Sequence, residues 1–299
     1  MLQRMQSRWE VTLMRIAIFA DVHGRLELCF RLCARWQHET GQQLDLILQA
    51  GDLGAFFDQA RLDRATVRHA QRDPTELGFL HDFAAPNPRI TTLLDEILCP
   101  LIFVRGNHED HTWLDMLEQQ HTSPLFPVDV YERVFCLKTG LPYTFARQNA
   151  VLTILGVGRI GARVGESDHN QSRYIQSYEQ ERIYQLERTT VDLLLTHDAA
   201  LDFVTPGYGM EEIRHILDSF RPRYHFYGHT GKPYSQQLDP NGVTITCKLT
   251  DLTWGQQRGG PLDPGVMGIL EWESPQQHSF EIVNETWLRE YSRYSWRHH

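Results

Sequence analysis

Five short segments of this 299-residue chain gather side chains that bind metal ions or move protons. They are Asp21-Val22-His23-Gly24, Gly51-Asp52, Gly106-Asn107-His108-Glu109-Asp110, His197-Asp198 and Gly228-His229. Asp21 and His23 are two residues apart. In extended backbone, residues i and i+2 point the same way, so a carboxylate and an imidazole can reach one ion. Each short segment alone is common; an amide and an imidazole beside a glycine, as in 106–108, have less structural use. Together they form an oxygen and nitrogen donor set suited to manganese, iron or zinc. No covalent nucleophile stands out beside them.

Each segment follows an apolar run of strand type, at residues 16–20, 44–48, 101–104, 191–195 and 224–227. The same layout therefore recurs five times: a buried strand delivers polar groups at its C-terminal end. In open α/β sheets that edge is where ligands bind. Helical patterns between the strands, such as Leu26, Leu28, Phe30, Leu32 and Trp36, favour parallel pairing with crossovers. Residues 143–160 read as paired strands of a second sheet, and 171–188 as helical. Asp239-Pro240-Asn241-Gly242 marks a hairpin turn between 234–238 and 243–249. A last strand is expected at 266–272. Residues 54–88 break the rhythm with Arg61, Arg64, Arg68 and Arg72. They read as a partly helical insertion, either overhanging the site or serving as a solvated connection.

The order D-x-H, G-D, G-N-H-[ED], a strand-terminal His and G-H, spanning residues 15 to 231, resembles the calcineurin-like metallophosphoesterase family. The resemblance implies an α/β fold, a four-layer α/β/β/α sandwich with two mixed sheets. It implies one or two divalent ions, manganese first, with iron, zinc or nickel as alternatives. Asp21 and His23 would hold the first metal, Asp52 would bridge both, and Asn107, His197 and His229 would complete the second. His108 would contact the substrate phosphate and protonate the leaving oxygen, with Glu109, or failing it Asp110, orienting its ring. The implied reaction is hydrolysis of a phosphate ester by in-line attack of metal-bound hydroxide, with His108 as general acid.

One position departs from the family. Its G-H-x-H stands here as Gly228-His229-Thr230-Gly231, so the first metal loses a histidine ligand. Water or substrate oxygen can take that place, the site can be weak, or the chain can be a non-catalytic binding protein on a phosphoesterase scaffold. Asp168 or His169 is a candidate replacement, against a plain surface loop. Arg159 and Arg163 are candidates for a phosphate clamp, against a solvated pair. His225 reads as a packed, hydrogen-bonded histidine.

The substrate class is a phosphate ester, nucleotides and nucleic acids included. A weaker resemblance to RNA lariat-debranching enzymes favours a phosphodiester. It rests on the stretch after Asp52, on 106–109, on 156–163 and on His197-Asp198. That subgroup usually has cysteine at the place of Asp21 and keeps the histidine replaced by Gly231.

Composition sets the remaining bounds. With 41% hydrophobic and 22% charged residues the chain reads as an ordinary globular protein. A net charge of −9 argues against a uniformly polyanion-binding surface, although bound metal can recruit phosphate locally. No apolar run is long enough to span a bilayer and no secretory leader is apparent, so a cytoplasmic location is expected. Five scattered cysteines (29, 33, 99, 136 and 247) fit buried or free thiols. No obligate protein partner is evident. Residues 14–299 are expected to form one domain, with 1–13 as an N-terminal extension.

Overall fold

The computed structural model describes residues 13–162, 171–187, 189–255 and 259–298. The 1–13 extension, apart from Leu13, lies outside the described residues, as do Arg163, Asp168 and His169. The strands in chain order are β1 (Met14–Phe19), β2 (Leu46–Gln49), β3 (Leu101–Phe103), β4 (Leu125–Pro127), β5 (Val134–Leu137), β6 (Tyr143–Arg147) and β7 (Ala150–Val157). They continue with β8 (Leu193–Thr196), β9 (Tyr224–Tyr227), β10 (Ser235–Leu238), β11 (Ile245–Lys248), β12 (Trp254–Gly255), β13 (Gly260–Leu262), β14 (Gly268–Ser274) and β15 (Gln277–Ile282). The helices are α1 (Leu26–Thr40), α2 (Arg64–Ala70), α3 (Gly78–Asp82), α4 (Pro88–Glu96), α5 (His111–Gln120), α6 (Ser177–Tyr184) and α7 (Glu211–Phe220).

Two mixed sheets carry the fold. One has seven strands in the order β15-β14-β1-β2-β3-β5-β4, and the other six, β10-β11-β9-β8-β7-β6. In the first, β1, β2, β3 and β5 run parallel; in the second, β7, β8, β9 and β11 do. The expected strands therefore form, and the two hairpins read from sequence appear as β6–β7 and β10–β11.

Alternation along each strand builds the layers, because successive side chains leave opposite faces. From β1, Ala17 and Phe19 pack with Phe30 and Leu32 of α1, Phe79 of α3 and Leu94 of α4. Ile16 and Ile18 turn the other way, onto Leu152, Ile154, Leu193, Leu195 and Phe226 of the second sheet. From β8, Leu194 faces outward to Ile183 of α6 and Ile213 and Ile216 of α7. Three apolar cores thus separate four layers, α/β/β/α. Strands buried on both faces read as unbroken apolar runs, which is why the sequence showed them so clearly.

The 54–88 segment is largely helical: a short 3-10 turn (Gln59–Arg61), α2, a second turn (Pro74–Leu77) and α3. Its start is set by a cap. Asp63 accepts the N–H groups of Ala65 and Thr66 at the first turn of α2, which otherwise have no partner within the helix. All five cysteines are free and buried. Among the described residues no helix is long and apolar enough to cross a membrane.

The seam between the sheets is filled by large side chains from both. Phe226 is fully buried there, 4.7 Å from the Phe280 ring. Phe226→Ala should cost about 3–5 kcal/mol in urea unfolding, as truncation of a packed core phenylalanine does. A cost below about 1 kcal/mol would contradict the tight seam.

Candidate metal centre

The parallel strands β1, β2 and β3 of one sheet and β8 and β9 of the other end at a common edge. Asp21 and His23 follow β1, Asp52 follows β2, Asn107 and His108 follow β3, His197 follows β8, and His229 follows β9. The backbone turns sharply at several of them: Asp21, His23, Asp52 and His229 have φ of 48°, 46°, 53° and 63°. Left-handed backbone is uncommon outside glycine and costly enough to concentrate at functional positions. Main-chain bonds hold these turns side by side. Asp21 N–H donates to the Gly51 carbonyl at 3.1 Å and His23 N–H to the Asp52 carbonyl at 2.7 Å.

The glycines have a steric reason to be there. A Cβ on Gly106 would lie 2.0 Å from Asp52 Oδ1, and one on Gly228 would lie 2.2 Å from Asp21 Oδ2. Both carboxylates occupy the space a side chain would need. The contacts cross between neighbouring loops and between sheets: His108 N–H donates to Asp52 Oδ1 at 2.7 Å, and His229 N–H to the Asp21 carboxylate at 3.0 Å.

Side chains of all six expected ligands meet here. Asp21, His23 and Asp52 offer donor atoms within 4.8 Å of one another. His197 Nδ1 lies 3.0 Å from the Ala50 carbonyl and must donate to it, which leaves Nε2 facing Asn107 Oδ1 at 3.1 Å and Asp52 Oδ1 at 3.4 Å. His229 stacks beside it, with ring centroids 4.8 Å apart. Nε2, a carboxylate oxygen and an amide oxygen are all acceptors when the imidazole is neutral, so their convergence requires positive charge among them.

The electrostatics carry the same demand. Burial works to raise the Asp52 carboxyl, yet His197, His108 and His23 hold it well below its usual value. Burial, then the Asp251 and Asp52 charges, push Asp21 up to about 8. Burial disfavours a charged His197, but Asp52 and Asp21 push it up to about 10. Burial and the His197 charge bring His229 down to about 4, which keeps its imidazole neutral. Two buried carboxylates with imidazoles turned toward them fit a divalent cation better than the protons that otherwise neutralise them.

His108 stands at the mouth, a quarter exposed. Its ring centroid is 5.6 Å from that of His23, and Nδ1 lies 2.9 Å from Asp63 Oδ2. Burial opposes its charge, but Asp52 and Asp63 push it up to about 9. The orienting carboxylate is thus Asp63, which corrects the expectation for Glu109 and Asp110. Glu109 turns away from the ring and accepts N–H groups of Leu53 at 2.8 Å and Ala55 at 2.6 Å, tying the Asp52 loop to the Asn107 loop. Asp110 caps α5 through the Trp113 N–H and pairs with Arg61. Asp63 carried a sequence signal only as a helix cap, and nothing local linked it to His108.

Arg159 is likewise no phosphate clamp. It is fully buried, paired with Glu179 at 2.9 Å and Asp115 at 2.6 Å, and its N–H donates to the Arg105 carbonyl at 2.7 Å. His225 is buried and bonded to Thr196 Oγ1 at 2.8 Å, a packed histidine as read from sequence. At Gly231, among the described residues, no atom beyond its two chain neighbours comes within 4 Å of where a Cβ would stand.

A sequence profile of the calcineurin-like phosphoesterases matches residues 14–233, and the chain belongs to that family. It is a metal-dependent phosphoesterase. No curated protein matches it. Among solved structures, TT1561 of Thermus thermophilus is similar over 91% of this chain and 100% of its own, at 16% identity and a TM-score of 0.51. A hypothetical protein from the same organism covers 90% and 99%, at 18% identity and TM-score 0.45. A structure described as a novel phosphatase from Mycoplasma pneumoniae covers 91% and 93%, at 12% identity and TM-score 0.44. The likeness to TT1561 supports the fold.

The raised His108 pKa has a stability consequence in metal-stripped protein. Because the folded value of about 9 lies above the ordinary 6.5, the contribution is fully present below about 6.5 and is lost as pH rises through about 9. Asp63→Asn should lower the His108 titration point followed by NMR and flatten that part of the thermal-stability profile. An unmoved His108 titration would contradict the pairing.

Proposed function

We propose that this phosphoesterase cleaves a phosphodiester, with His108 protonating the leaving oxygen. The observation that carries this reading is His108 held at Nδ1 by Asp63 beside the buried Asp21–Asp52 cluster. With Nδ1 occupied, Nε2 is the nitrogen left to face substrate. The charge of Asp63 keeps the ring protonated until the leaving oxygen needs its proton. The ions assigned to Asp21, His23, Asp52, Asn107, His197 and His229 would supply positive charge for the phosphoryl oxygens and acidify the attacking water. Glu109 acts at a distance from the reaction, by fixing the loops that carry Asp52 and Asn107.

Two features favour a diester. The layout resembles that of RNA lariat-debranching enzymes, and α2, which delivers Asp63, also exposes Arg64 and Arg68 on one side. These residues are four apart, about 6 Å along the helix axis, and suit a substrate carrying further phosphates. Manganese is the ion we assign, on the mixed oxygen and nitrogen donor set without thiolate. Free, buried cysteines support a cytoplasmic location. We read residues 14–299 as one domain, since β14 and β15 complete the sheet that begins with β1.

The test is hydrolysis of bis-p-nitrophenyl phosphate and p-nitrophenyl phosphate by metal-stripped protein titrated with Mn²⁺. Turnover should rise with metal, favour the diester, and fall about 10²-fold or more in His108→Ala. Asp52→Ala should abolish it. Metal-independent turnover, or full activity in both variants, would overturn the assignment.

A further inference from the structure

A buried lysine lies next to the metal cluster and has no part in the chemistry described so far. Lys248, the last residue of β11, has a side chain only 1% exposed, and its ammonium pairs with Asp251 Oδ1 at 2.9 Å. Lysines are almost never fully buried unless paired, and ordering one costs side-chain entropy. The pair stands at the end of β1. Ala20 and Asp251 form a parallel bridge, and Leu252 N–H donates to the Asp21 carbonyl at 3.1 Å.

This placement matters because of what surrounds it. Bridged residues project from the same face of a sheet, so Asp251 leaves the backbone on the side of Ala20. The Ala20 Cβ is 3.0 Å from where a Cβ on Gly228 would lie, so that side faces the turn running from Gly228 to Gly231. That turn is where the family motif has its second histidine. Here the position is glycine with open space around it. A carboxylate and its buried counter-ion thus border the corner from which an imidazole is missing.

We propose that Asp251, steadied by Lys248, is the donor that replaces the missing histidine at the first metal position, alongside Asp21, His23 and Asp52. This rests on the reading of the cluster as a metal centre and deepens it. Asp251 would give the first ion a further carboxylate, and Lys248, paired with it at 2.9 Å, would offset the added negative charge. The exchange of imidazole for carboxylate makes the position harder, shifting its preference toward manganese or magnesium and away from zinc.

Metal-stripped wild type, Asp251→Asn, and Asp251→Asn combined with Gly231→His should be titrated with Mn²⁺, with free ion followed by EPR and bound ion counted by elemental analysis. Asp251→Asn keeps an acceptor for Lys248 and should weaken the first site about tenfold or more while the second ion still binds. Gly231→His, though strained by a φ of 61°, should restore affinity in that background, since His23 and His229 occupy similar backbone at 46° and 63°. Should Asp251→Asn unfold, Asp251→Glu, which moves the carboxylate by one methylene, must still weaken the first site. Unchanged affinity and stoichiometry in the substituted proteins would overturn the role of Asp251 while leaving the metal centre intact. Wild type that takes up no Mn²⁺ would overturn both.

Discussion

Two carboxylates, Asp21 and Asp52, sit almost fully buried where the ends of two sheets meet, and the rest of the molecule answers to that fact. Ionised carboxylates removed from water are costly unless positive charge or hydrogen-bond donors meet them. Here both kinds of compensation arrive from both sheets. Backbone N–H groups of His108 and His229 point at the two carboxylates. The imidazoles of His23 and His197 face Asp52 at 3.9 and 3.4 Å. A divalent cation would complete the neutralisation in place of the protons that the cluster otherwise holds.

Holding loops from separate sheets at such distances requires a rigid frame, and the buried ionic network behind the site provides one. Arg105 pairs with Asp115 and Glu118, Arg159 with Asp115 and Glu179, and Arg182 with Glu118. The group links the loop after β3, α5, α6 and the loop after β7. Such networks add little net stability, because desolvation offsets the attraction, but breaking one member leaves an uncompensated charge. Their use here is register: the Arg105 carbonyl receives the Arg159 N–H just before Asn107 and His108. On the open side, α2 plays a different part. Its capping aspartate serves the helix and the His108 ring at once, so the insertion is joined to the chemistry through one side chain.

Much of this was legible in the sequence because it is local. A strand buried on both faces is a short apolar run, and a ligand at its end is the next polar residue. The polar segments at the strand ends and the parallel pairing of the strands follow from that pattern. Relationships across space were not legible. Asp63 is 45 residues from His108, and its only local mark is a helix start. Glu109 is adjacent to His108 in sequence, yet the backbone turns its carboxylate the other way, toward Leu53 and Ala55. Arg159 beside a glycine-rich stretch suggested a clamp or a solvated residue, whereas Asp115 of α5 and Glu179 of α6 pair with it inside the protein. Asp251 and Lys248 carry no motif, and pairing across space, the bridge from Asp251 to Ala20 and the Leu252 N–H bond to the Asp21 carbonyl, brings them to the end of β1.

The central claim is that the seam between the sheets is a cation site organised around Asp52. Anomalous diffraction from crystals soaked in Mn²⁺, collected near the manganese edge, tests it most directly. The account predicts a peak among Asp21, His23 and Asp52, and a second among Asp52, Asn107, His197 and His229. A map with no peak within ligand distance of Asp52 at saturating Mn²⁺ would contradict it.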